Sequence, residues 1–206
     1  ADWEYMAAPS IETINEYAPT VCTIDGYLYY MASDVNRIFR TATPADRTSW
    51  REVECRFKIG QHDPCLWQDE DKRMYLYWGC HDKDPICGVE VDVANGFSPI
   101  GAPVVLIDHN IDSYGWEGPG KNNDETFRNG WNEGPAMIKH DGKYYLQYAA
   151  PGTQFRTYGD GVYVGDSPLG PFRAMESNPF SFKPGDLSGV PVMGIRSATA
   201  TAIYGM

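Results

Sequence analysis

Two acidic residues stand beside prolines at the mouths of predicted hairpins. Asp63 directly precedes Pro64 in "HDPCLW", and Glu133 lies two residues before Pro135 in "NEGPAMIKHDGKYYLQYA". Carboxyl groups held close together do acid–base chemistry. One stays protonated to donate, because the charge of its neighbour raises its pKa. Cleavage of a glycosidic bond needs such carboxyl groups, set on opposite sides of the bond. Two tryptophans, Trp116 and Trp131, lie in the Gly- and Asn-rich segment 109–132. There an indole face could stack on a sugar ring. An acid before a proline also opens ordinary turns, so the chemistry depends on whether the fold brings these residues together.

A repeat supplies the elements that would do so. Residues 18–33, 63–79 and 134–149 each read as proline, short apolar run, acidic turn and aromatic strand. Pro19 to Gly26 and Pro135 to Gly142 are both seven residues, and Pro64 to Lys72 is eight. Asp-Gly between alternating runs is a strong hairpin signal, since glycine accepts positive φ. Asp25-Gly26 and Asp141-Gly142 fit it, and Asp71-Lys72 is a less ideal copy. Further strands are expected from Asn36, Cys87 and Asp160, and the opening "DWEYMA" reads as the last strand of a preceding unit. Units of roughly 45–70 residues, each a small antiparallel sheet, predict a β-propeller. A β-sandwich also has many short strands, but the constant proline-to-turn spacing favours the propeller. No sustained 3.6-residue periodicity predicts helix.

In a propeller the first strand of each blade lines the axis, and the starts of these strands converge. That places Ala18, Asp63 and Glu133 near one another. Glu133 is one residue out of register with Asp63, and a one-residue slip points a side chain to the other face. Gly134 is the expected remedy, through an unusual backbone conformation.

The 206 residues are read as one domain, with a formal charge of −11 that argues against nucleic acid and acidic polymers. A neutral partner such as a carbohydrate is unaffected by that field. No run of 18 apolar residues is present, so no membrane-spanning helix is expected. Five cysteines, Cys22, Cys55, Cys65, Cys80 and Cys87, read as free buried thiols rather than a disulfide framework, although Cys80 and Cys87 could pair across a hairpin. Neither Cys-x-x-Cys nor His-x-His occurs, so no zinc site, and no metal or cofactor, is expected. Asp69, Glu70 and Asp71 lack the pattern of a calcium loop and read as a solvated turn. His62, His81, His109 and His140 are isolated and read as structural or exposed. The first residues lack the features of a signal peptide.

Taken together, these blocks resemble glycoside hydrolase family 43, the five-bladed β-propeller enzymes. The resemblance rests on "YAPTVCTIDGYLYYMAS", "HDPCLWQDEDKRMYLYWG" and "NEGPAMIKHDGKYYLQYAAPGT" in order, with a later "GVYVGDSPLGPF". It implies an all-β chain of about three of the five blades, truncated at both ends. It implies an inverting hydrolase of pentose-containing plant polysaccharide, of arabinofuranosidase or xylosidase type, with a non-catalytic sugar-binding propeller as the alternative. Carried over, Glu133 is the general acid and Asp63 orients it and modulates its pKa. The general base implied by the resemblance lies in an Asp-Pro motif upstream, and residues 1–16 hold no such motif. A polysaccharide substrate implies a secreted or periplasmic protein. Missing blades imply self-association through open blade edges. Residues 190–206 depart from the family pattern. Synonymous codons for them, read in another phase, restore a Gly-His-Gly and an Asp-x-Tyr-Gly-Asn string. They are therefore expected to be an out-of-frame, non-native tail.

Overall fold

The computed structural model describes residues 17–33, 36–57, 62–82, 84–118, 130–153 and 158–180. The expectations for the opening strand and for the tail lie outside the described residues.

The Asp-Gly pairs do what their chemistry requires. Asp25 and Gly26 have φ of 49° and 80°, and Asp141 and Gly142 have 47° and 71°. Positive φ at both central residues twists the turn to match the flanking strands. The first turn joins β1 (Thr20–Ile24) to β2 (Tyr27–Met31), which is followed by β3 (Ile38–Thr41) and β4 (Arg51–Val53). The next strands are β5 (Cys65–Gln68), β6 (Met74–Trp78), the short β7 (Cys80–His81), β8 (Ile86–Asp92) and β9 (Ser98–Ile107). The second Asp-Gly joins β10 (Asn132–His140) to β11 (Lys143–Ala150), followed by β12 (Gly159–Gly165) and β13 (Phe172–Ala174). A single turn of 3-10 helix at Gly115–Glu117 is the one helical element among the described residues. No helix there is long and apolar enough to cross a membrane.

Pairing is antiparallel throughout and gives three sheets, ordered β1-β2-β3-β4, β5-β6-β8-β9 and β13-β12-β11-β10-β7. Each of the three sequence repeats is thus the inner hairpin of one blade. The innermost strands β1, β5 and β10 stand side by side, and the Leu66 amide donates to Thr20 Oγ1 across two of them at 3.3 Å. Only β7 leaves its own unit: it follows β6 in the chain but pairs with β10 of the next blade.

Packing follows the two-residue period of the strands. Met74, Leu76 and Trp78 of β6 face the first sheet, in a core with Ile24, Tyr29, Met31 and Ile38. Tyr75 and Tyr77 face the third sheet, in a core with Met137, Tyr144, Leu146 and Tyr148. Because both faces are covered, all five residues of β6 are buried. Burying each such side chain is worth about 1.5–3 kcal/mol.

Two sequence expectations are corrected here. Asp69 is not a solvated turn residue: it is 4% exposed, accepts the Tyr144 hydroxyl at 2.7 Å and pairs with Lys139 Nζ at 2.8 Å. Only Glu70 and Asp71 reach solvent. Trp116 is not a rim residue: it is 3% exposed and packs in the second core against Tyr148, with ring centroids 5.7 Å apart. Gly161 makes room for it, since a Cβ there would lie 2.9 Å from the indole. The five cysteines are free thiols, as expected, though half-buried rather than fully enclosed.

Candidate active site

The three prolines that open the inner strands are each preceded by a left-handed residue: Ala18 at φ 43°, Asp63 at 50° and Gly134 at 63°. The structural register therefore matches Asp63 with Gly134, and Glu133 stands one residue earlier. Outside glycine such a conformation costs roughly 1–2 kcal/mol, with aspartate among the residues that tolerate it. Gly134 adopts it freely, and the β10–β11 pairing slips between Glu133 and Ala136. The bulge re-aims Glu133 toward Asp63 despite the offset. Main-chain bonds tie the two turns together: Gly134 N–H donates to Gly79 O at 3.2 Å, and Gly79 N–H to His62 O at 2.8 Å.

The facing donor atoms of Asp63, Cys80 and Glu133 all lie within 4.8 Å of one another. Among the described residues this is the one set of three close enough to share a metal ion. For acid–base chemistry the spacing is informative. An inverting pair needs about 6.5–9.5 Å between carboxyl groups to leave room for water. The facing oxygens of Asp63 and Glu133 lie closer together than that.

Each carboxyl group is held by named donors. Glu133 Oε2 accepts Trp131 Nε1–H at 2.8 Å and the Cys80 thiol at 3.4 Å, and Oε1 accepts the Tyr158 hydroxyl. Asp63 Oδ1 accepts Ser33 Oγ–H at 3.2 Å, and Ser33 Oγ in turn accepts the Asp63 amide at 2.7 Å. Ser33 comes from the first blade, anchored by its own amide to Tyr17 O at 3.0 Å. Burial, and then the charge of Glu133, push the Asp63 carboxyl above the usual range, against the pull of Ser33, Cys80 and the Gly134 amide. Burial and the two carboxylates push the Cys80 thiol up strongly. Burial and Glu133 do the same to Tyr158. Both therefore remain neutral donors at ordinary pH.

Of the residues singled out from sequence, Asp63, Glu133 and Trp131 meet here, and Trp116 does not. Trp131 touches the site through its ring nitrogen, a contact additional to the expected stacking face. Its ring is stacked on His81, with centroids 5.7 Å apart and planes at 21°. Sequence reasoning missed Ser33, Cys80, His81 and Tyr158. Their only signal was position, at the ends of strands that converge on the axis. The chain also holds a second Glu-Gly-Pro, beginning at Glu117. That glutamate is fully buried and accepts the Tyr148 hydroxyl and, at 3.0 Å, the Asn110 amide. Residues 1–16, where the general base was sought, lie outside the described residues.

Comparison with known proteins agrees with this geometry. The pattern of the family described as Glycosyl hydrolases family 43 matches residues 2–196. A thermostable family-43 glycoside hydrolase superposes with a TM-score of 0.63 at 24% identity, covering 80% of this chain and 55% of that one. An endo-1,4-beta-xylanase from Bacteroides thetaiotaomicron VPI-5482 gives 0.60 at 24% identity, covering 79% and 54%. An alpha-L-arabinofuranosidase from Lactobacillus brevis gives 0.53 at 24% identity, covering 78% and 54%. At these identities the likeness establishes the fold. The chain spans about half the length of these solved structures. Among curated proteins, none matches the sequence.

Proposed function

The chain belongs to glycosyl hydrolase family 43, and from that premise we propose that it carries the acid side of a glycosidase centre. The substrate class is pentose-containing plant polysaccharide, cleaved in the manner of an arabinofuranosidase or xylosidase with inversion. Glu133 gives its proton to the leaving glycosidic oxygen. Asp63, buried beside it, orients it and tunes its proton affinity. The observation that carries this reading is the convergence of the two carboxyl groups from separate blades, with facing atoms within 4.8 Å of each other. Solved relatives named as xylanase and arabinofuranosidase support the sugar class.

The base belongs to an Asp-Pro segment that the sequence does not contain upstream of Ala18. Produced as these 206 residues, the chain therefore turns over aryl arabinofuranosides and xylosides feebly. In a form extended to include such a segment, Glu133→Gln lowers turnover by about 10²–10⁴-fold, the usual worth of a general acid. Ordinary turnover by the 206 residues themselves would contradict the missing base. An extended form that binds pentosides by calorimetry yet never hydrolyses them would replace the enzyme reading with a sugar-binding propeller.

A further inference from the structure

Strand β7 is two residues long and forms the inner edge of the third sheet, although it follows the second blade in sequence. Cys80 is the register partner of Glu133, and His81 that of Asn132. Both side chains bear on Glu133 Oε2, and the Cys80 thiol also lies against the Asp63 carboxyl. The Cys80 thiol donates directly to Glu133 Oε2 at 3.4 Å. His81 reaches the same oxygen at one remove: its ring lies on Trp131, whose Nε1–H donates to Oε2 at 2.8 Å. Asp82 Oδ1, 2.7 Å from His81 Nδ1, fixes the imidazole in turn.

A glutamate side chain has several staggered rotamers open to it. Proton transfer tolerates little of that freedom, since a misplacement of about 1 Å can cost on the order of 10²-fold. Tyr158 restrains Oε1 from one side. On the other side a thiol is a weak donor, enough to give direction, while Trp131 supplies the stronger bond and His81 sets the plane of its ring. We propose that Cys80 and His81 are positioning residues that fix Glu133 Oε2, one directly and the other through Trp131. The proposal rests on reading Glu133 as the general acid.

Indole nitrogen NMR tests it without needing turnover. The chain has six tryptophans, so ¹⁵N-labelled indoles give six signals, and Trp131→Phe identifies one of them. Cys80→Ala and His81→Ala should each displace the Trp131 signal and speed its hydrogen exchange by roughly tenfold or more. The other five signals should stay put, which marks a folded variant. Cys80→Ser and His81→Phe, which keep a donor and a stacking ring, should retain the wild-type signal. Cys80→Val substitutes for the alanine variant if that one does not fold. An unmoved Trp131 signal in both alanine variants overturns the proposal.

Turnover in the extended form separates this from the premise. On aryl pentosides with successively poorer leaving groups, Glu133→Gln should lose more activity as the leaving group worsens. Cys80→Ala and His81→Ala should show a weaker trend of the same sign. The trend in Glu133→Gln alone would overturn the positioning role and leave the general acid intact. Its absence in Glu133→Gln would remove the general acid, while the Trp131 signal still decides whether β7 holds that carboxylate.

Discussion

Asp63 is where two costs meet. Its carboxyl group is removed from water, and it faces the charge of Glu133, so its proton is held more tightly in the folded state than in the unfolded chain. A raised folded-state pKa contributes stability that is complete below the unfolded value and is lost as pH rises through the folded one. A rise in pH toward neutral therefore weakens the fold at Asp63. Asp63→Asn keeps the shape and the acceptor for Ser33 but removes the charge. The variant should unfold at higher urea concentration than the wild type at pH 7. The gap should close as pH falls below 3.8, the ordinary aspartate value. Midpoints measured across pH check this. A variant less stable at pH 7 would mean that the Ser33 contact outweighs burial and repulsion together. On the proposed roles, turnover of the extended form should fall in the same variant, because Glu133 loses the neighbour that tunes it. Stability gained with activity lost is the mark of a strained site rather than a packing residue.

The turn between β5 and β6 clamps one blade to the next. Asp69 lies under it, accepting from Lys139 of β10 and Tyr144 of β11, while Glu70 meets the same lysine at 2.8 Å. Burial raises the Asp69 pKa, but the bonds from Lys139 and Tyr144 outweigh it and hold the carboxyl below the usual range. Here the sign reverses: the stability is present above the unfolded value and is lost as pH falls through the depressed one. Asp69→Ala removes the acceptor of the Tyr144 hydroxyl and the buried partner of Lys139, a loss of about 1–3 kcal/mol. Urea denaturation should show that loss at pH 7 and a smaller one in acid. A neutral substitution would mean that water replaces the carboxylate. The same turn shows what sequence could and could not reveal. Asp25-Gly26 and Asp141-Gly142 were legible because a type I′ turn is decided by two adjacent residues. The strands after them were legible from alternation. Asp69 was not, since its partners lie 70 and 75 residues away. Trp116 misled for a related reason: a loop rich in glycine suggested a rim, yet Gly161 on a distant strand opened a slot for the ring. Asp63 and Glu133 could be paired only through the repeat, and the one-residue offset resolved because Gly134 announced its own backbone.

At the scale of the molecule, the middle sheet is covered on both faces and the outer two are not equally protected. Its cores, one against each neighbour, account for the unbroken burial of β6. The first and third sheets each have one neighbour among the described sheets. Large apolar side chains stand exposed on the open face of the first sheet and on the outer strand β9, among them Val21 at 49% and Val105 at 57%. This chain covers 55% and 54% of the first two solved structures of the same fold. Three sheets in that fraction of the length is the proportion of a five-bladed ring. Propellers protect their sheet edges by completing the ring, and uncovered strand edges and apolar faces invite pairing with another chain. Produced as these 206 residues, the protein should therefore self-associate. Sedimentation over a range of concentrations should show dimers or larger species, and a charged substitution at Val21 should shift the distribution toward monomer. The net charge of −11 opposes association at low ionic strength, so added salt should strengthen it by screening that repulsion. A monodisperse monomer at high salt, unfolding in one cooperative step, would show that the three blades are sufficient by themselves.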